Sequence, residues 1–121
     1  MAANVYGFSR EERLRTKAEF DRVFREGRRR RGGCLTVCYA PNGLGHSRLG
    51  IALRRGWSSA VARNRAKRLV REAFRTHKHE WPRGLDLVVV PLTNWEGPRV
   101  ETIAAELVRL LPPAAEGATP C

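Results

Sequence analysis

"LDLVVVPL", residues 85–92, is a nearly unbroken apolar run built around three valines, with one carboxylate, Asp86, set inside it. That pattern belongs to a strand buried on both faces or lying at the centre of a sheet. Just upstream, "THKHEWPRG" (76–84) breaks the preceding helix. Ser58 or Ser59 can cap that helix, which runs to about Thr76. Before it come two more strand-like stretches, "CLTVCYA" (34–40) and "RLGIALR" (48–54), joined by the loop "PNGLGHS" and expected to pair as a hairpin. In the first of them Leu35, Val37 and Tyr39 alternate with Cys34, Thr36 and Cys38.

Further out, "TKAEFDRVFREG" (16–27) predicts a first helix. Thr16 and Glu19 make a capping box, and Gly27 is expected as a left-handed stop. Phe20, Val23 and Phe24 share one face of it. Beyond the central strand, Pro98 suits the first turn of a last helix that places Val100, Ile103, Ala104, Leu107 and Leu111 at helical spacing. Residues 1–112 therefore read as one domain, with a loose start over 1–13, and 113–121 as a tail.

The net charge of +11 is unevenly spread. Residues 28–71 hold twelve Arg and Lys and no Asp or Glu, while the remainder is nearly balanced. A basic block on a neutral body marks a polyanion binder. No apolar stretch is long enough for a membrane span, and the first fifteen residues, with Glu11 and Glu12, lack a signal-peptide core. A cytoplasmic protein with no membrane partner is expected. Cys34 and Cys38 lie about 13 Å apart along a strand, too far for a disulfide or shared metal ligation.

The block culminates in "RNRAKRLVREAFR" (63–75), six cations against Glu72 alone. Ala62, Ala66, Leu69, Val70 and Ala73 fall on one side of the helix, and Asn64, Lys67, Arg68, Arg71 and Arg75 on the other. Arg63 with Lys67, Lys67 with Arg71, and Arg71 with Arg75 are like-charge i, i+4 pairs, each unfavourable by a few tenths of a kcal/mol. A solvated face would alternate signs. The preference for Arg over Lys suits bidentate contacts with phosphate.

"AVARNRAKRLVREAFR" (60–75) resembles the signature of the bacterial ribonuclease P protein subunit, the basic partner of an RNA enzyme that removes the 5′ leader of precursor tRNA. The resemblance spans roughly residues 14–92 and takes in "L-x-x-x-x-x-F-x-x-V-F-x-x-G", "SRLGIAL" and "G-x-D-x-V-V-V". It implies an α+β fold: a small mixed sheet of about four strands covered by three helices, a ribosomal-protein-like two-layer sandwich with a left-handed βαβ crossover. A fourth strand would fall near residues 28–34. The resemblance also implies that Arg63, Asn64, Arg65, Lys67, Arg68, Arg71 and Arg75 contact the catalytic RNA. A cleft between the first helix and the sheet would hold the leader of precursor tRNA, with Phe20, Tyr39, Arg48, Arg54 and Arg55 as its contacts. Phe24 is expected to pack in the core. Tyr39 reaches the cleft only if the register slips by one; the simpler count puts Cys38 there. Gly56 and Ser58 replace a usual basic residue and a glycine, and Pro91 and Leu92 stand where an Arg often follows the late strand.

No catalytic residue and no protein metal site is expected, with Mg2+ held mainly by the RNA. The rival readings are a ribosomal RNA-binding component, a DNA-binding regulator and an autonomous nuclease. The regulator would need a short helix before residue 58, where the sequence reads as strand and loop, so no DNA partner is expected. A nuclease would need clustered carboxylates or a His pair, and His77 and His79, two apart at a helix end, point different ways.

Overall fold

A computed structural model describes residues 12–53, 59–92 and 99–112. The first helix, α1 (Lys17–Glu26), leads into β1 (Arg28–Arg31), β2 (Leu35–Pro41) and β3 (Arg48–Ile51). The long helix α2 (Ala60–His77) and a 3-10 turn (Lys78–Glu80) then precede β4 (Leu85–Pro91) and α3 (Val100–Leu110). The four strands form one mixed sheet in the order β1-β2-β4-β3. The four-arginine run supplies the fourth strand, antiparallel to β2. The expected loose start and the tail lie, apart from Glu12 and Arg13, outside the described residues.

β4 occupies the interior of the sheet and is buried at every position. It pairs antiparallel with β2 and parallel with β3, so the expected β2–β3 hairpin does not form. The reason lies in β4 itself, whose polar backbone is buried and needs hydrogen-bond partners along both edges. The loop between β2 and β3 accordingly passes across the start of β4. Asn42 N–H donates to Gly84 O at 2.8 Å, Ser47 Oγ donates to Pro82 O, and Leu85 N–H donates back to Ser47 Oγ. Gly84 takes a φ of +83°, a turn conformation that glycine permits.

Helices cover both faces. Leu35, Val37, Leu49, Leu87 and Val89 pack with Val70, Ala73 and Phe74 of α2 and with Ile103, Ala104 and Leu107 of α3. Trp81 closes that core against the Phe74 ring, 5.8 Å away between centroids. On the other face Cys38, Val88 and Val90 pack with Leu14 and Val23. Two layers thus describe the α2 and α3 side, and α1 adds a partial third layer. Gly27 ends α1 in extended backbone, not in the expected left-handed conformation. It is required by crowding, since a Cβ there would lie 2.6 Å from both Val23 O and Tyr39 O.

Charge also holds α1 in place. Asp86 of β4 is fully buried on the α1 face. Arg48 of β3 grips it with two nitrogens, Nε at 2.8 Å and Nη2 at 2.7 Å. Arg22 of α1 and Asn42 Nδ2 add bonds of 3.1 and 2.9 Å. Arg48 Nη1 reaches across to Glu19 at 3.1 Å, whose other oxygen completes the α1 capping box. Burial raises the Asp86 pKa, but the donors from Arg48, Asn42 and Arg22 outweigh it and hold the carboxyl below its usual value. The stabilisation is therefore complete above the unfolded-state pKa of about 4 and drains as pH falls through the lower folded value.

Asp86→Asn should lower stability by about 3–5 kcal/mol in chemical denaturation, because Arg48 and Arg22 lose their buried counter-charge. The variant should also show a flatter stability–pH curve than the parent between about pH 5 and pH 2.

Candidate nucleic-acid interface

α2 begins where Ser59 Oγ accepts the Ala62 N–H at 3.1 Å, which settles the cap between the two candidate serines. Ala66, Val70, Ala73 and Phe74 are its buried stripe; Phe74 escaped the sequence pattern and joins the core beside Trp81. The opposite face carries the cations. Arg63, Asn64, Arg65, Arg68 and Arg71 are exposed and Lys67 is half-buried. Among the described residues no carboxylate forms an ion pair with Arg63, Arg65, Lys67, Arg68 or Arg71. Arg75 differs, because Glu72 grips its guanidinium at 2.6 Å and pulls its own pKa down in doing so. Asn64, Arg65, Arg68, Arg71, Glu72 and Arg75 together line a shallow depression of about 470 Å³. It is a surface of forked donors whose one lining carboxylate, Glu72, is taken up by Arg75, a shape that suits a row of phosphates.

A second groove, of about 300 Å³, opens on the opposite face of the sheet between α1 and the strands. Phe24, Arg29, Ala52, Leu53 and Val90 line it. Phe24, expected in the core, is 39 % exposed and forms the groove's aromatic wall. Phe20 turns inward instead, because Gly50 makes room for it: a Cβ on Gly50 would stand 2.5 Å from the Phe20 ring. The two phenylalanines share one helical face, so periodicity could not separate them, and the glycine opposite decides.

Tyr39 does not face this groove. It lies in the core on the α2 and α3 side, while Cys38, pairing with Val88, faces α1. The unshifted strand register therefore holds. Arg48 is on the α1 face, but its guanidinium is committed to Asp86 and Glu19, which makes it a brace for the groove wall. Arg54 and Arg55, with Gly56, Trp57 and Ser58, lie outside the described residues. Pro91 ends β4, paired with Leu35, and Leu92 N–H donates to Cys34 O, so both serve the sheet. Arg29, a groove residue the sequence did not single out, was legible only as part of a charge run.

Among the described residues no three His, Cys, Asp or Glu side chains converge as a metal site. Burial and the nearby Glu106 push the Cys34 thiol up to about 12, leaving it inert as a nucleophile. No helix among the described residues is long and apolar enough to cross a membrane.

The family model for ribonuclease P matches residues 8–115. This chain belongs to the ribonuclease P protein family. The ribonuclease P protein component of Thermotoga maritima is 41 % identical over 108 residues, covering 86 % of this chain and 92 % of its own. That of Methylococcus capsulatus is 43 % identical over 107 residues, covering 88 % and 80 %. In structure, the RNase P protein from Thermotoga maritima superposes with a TM-score of 0.74 at 38 % identity, covering 83 % of this chain and 94 % of that one. As a ribonuclease P protein, the chain is a component of an RNA-processing endoribonuclease that works with the ribonuclease P RNA.

The contrast between the two phenylalanines is testable by thermal unfolding. Phe24→Ala should leave stability within about 0.5 kcal/mol, as for an exposed side chain. Gly50→Ala should cost about 1–3 kcal/mol by driving into the Phe20 ring.

Proposed function

We propose that this ribonuclease P protein uses its two surfaces for two RNAs, the α2 stripe for the catalytic RNA and the α1 groove for the single-stranded 5′ leader of precursor tRNA. The observation that carries the reading is the row Arg63, Arg65, Lys67, Arg68 and Arg71, uncompensated by any described carboxylate on a helix whose other face is locked into the core. Such a row is unfavourable alone and becomes favourable when phosphates replace its counterions. The groove supplies what sequence-tolerant binding of a single strand asks for, an aromatic face at Phe24 beside a cation at Arg29. Removal of the leader is then hydrolysis at the RNA, with Mg2+ held chiefly by RNA phosphates. The protein screens the repulsion between the two RNAs and so raises the affinity of the RNA for those ions. A cytoplasmic location accords with this work.

The test is cleavage of precursor tRNA by a bacterial ribonuclease P RNA at low Mg2+, with and without the protein, beside a Lys67→Ala/Arg68→Ala/Arg71→Ala variant. The parent should restore cleavage and the variant should not. The slope of log affinity for the catalytic RNA against log salt should fall by about 3 in the variant, one for each lost phosphate contact. Salt-sensitive RNA binding with no effect of either protein on cleavage would replace this reading with a general RNA-binding one.

A further inference from the structure

β1 is four consecutive arginines, Arg28–Arg31, all exposed, on the outer edge of the sheet. Among the described residues none of the four has a carboxylate partner. Edge strands often carry charge to prevent sheet-to-sheet aggregation. Four successive like charges also repel one another, a cost that edge protection alone does not call for. The opposite edge is guarded differently. There Leu14 N–H donates to Leu49 O at 2.9 Å and Arg13 bridges to Leu49, so the chain's own backbone covers β3.

The pairing of β1 with β2 sorts the arginines by face. Arg29 stands opposite Cys38 and Arg31 opposite Thr36, which puts both on the α1 face with Val88 and Val90. Arg28 and Arg30, opposite Tyr39 and Val37, take the other face. Arg29 already lines the groove with Phe24 and Val90. Arg31 lies two residues farther along the same face, about 7 Å on.

The strand is held firmly. Glu106 of α3 accepts the N–H groups of Cys34 at 2.8 Å and Leu35 at 3.2 Å, and Gly32 N–H donates to Leu35 O. A Cβ on Gly32 would stand 2.5 Å from Glu106 Oε1, so the turn after β1 is packed against that carboxylate.

We infer that Arg29 and Arg31 form a phosphate track that carries a single RNA strand out of the α1 groove over the β1 edge, so that the protein grips leader nucleotides beyond those lying against Phe24. The inference rests on the groove being the leader site. It makes β1 a determinant of how much leader the enzyme senses, a role that only the two α1-face arginines serve.

The experiment uses the holoenzyme reconstituted with a bacterial ribonuclease P RNA. Precursor tRNAs carry either a leader that ends inside the groove or one long enough to cross β1. Affinity is measured across salt for the parent, for Arg29→Ala/Arg31→Ala, and for Arg28→Ala/Arg30→Ala as the opposite-face control. Circular dichroism and matched melting temperatures establish that both variants are folded. The α1-face variant should lose roughly tenfold in affinity for the long leader, with its salt slope smaller by about 1.4, the value for two single-strand phosphate contacts. For the short leader, which meets only Arg29 inside the groove, the salt slope should fall by about half as much, about 0.7, with a correspondingly smaller loss of affinity, and the control should behave as the parent throughout. If the parent's preference for the long leader survives in the α1-face variant, or if the control loses as much, the track is overturned and the leader reading stands. If the parent shows no leader-dependent gain at all, the leader reading falls and the track with it.

Discussion

The buried carboxylate of Asp86 is the interaction on which the working surface of this protein depends. It sits in the interior strand, and its donors come from β3, from α1 and from the loop that crosses the start of β4. A single side chain thus ties a short helix and two distant segments to the sheet. Buried ion pairs are poor sources of net stability, because desolvating the charges costs about as much as pairing them returns. They do narrow the arrangements a chain can adopt. Without Asp86, α1 would keep only the small apolar contact of Leu14, Phe20 and Val23 and the more exposed bonds of Arg22 to Pro41 O and of Arg48 to Glu19, a weaker set that permits sliding. With it, Arg22 has one place to be, and the gap between Phe24 and Val90 becomes a groove of defined width.

The same logic governs charge elsewhere. Glu19 serves the α1 cap and Arg48, Glu72 steadies Arg75, and Glu106 holds the turn after β1. For Glu106, burial raises the pKa but the backbone N–H groups it accepts more than offset that, so it remains an anion within the fold. These carboxylates are engaged in internal tasks. Arg63, Arg65, Lys67, Arg68 and Arg71 of α2 and the four arginines of β1 lack such partners among the described residues, so the positive excess is presented outward. A basic protein of this size could have spread its charge at random. Here the acids brace the scaffold and the exposed arginines form rows.

Elements whose evidence is local were legible in the sequence. The Thr16–Glu19 capping box, the apolar stripe of α2, the spacing of α3 and the buried run of β4 each appear within a window of a dozen residues. What failed depended on partners far along the chain. The β2 and β3 stretches looked like a hairpin because a loop of turn-forming residues joins them, and nothing local shows that β4, more than thirty residues later, inserts between them. Arg48 looked like a free cation because its partner Asp86 lies 38 residues away. The assignment of Phe20 and Phe24 turned on Gly50, and that of Gly27 on the carbonyl of Tyr39. The plain alternation of β2 holds, with Cys38 toward α1 and Tyr39 in the opposite core, and only the register shift that the resemblance invites would turn Tyr39 to the groove.

The sheet also separates the two candidate RNA surfaces. α2 docks on the face that carries Val37, Leu87 and Val89, and its cationic stripe points away from that core. The α1 groove opens on the other face, over Val88 and Val90. Because alternate residues of one strand line the two cores, β4 supports both surfaces at once, and a change in strand register would spoil them together. The arrangement answers an electrostatic problem. Two polyanions that must approach each other repel, and a thin, strongly positive body between them lowers that repulsion on both sides while keeping each in its own site. A protein of 121 residues cannot enclose an RNA. In the function proposed above it would act between two RNA segments by position and charge, and the rigidity set by Asp86 and Glu106 would determine how closely the two are brought together.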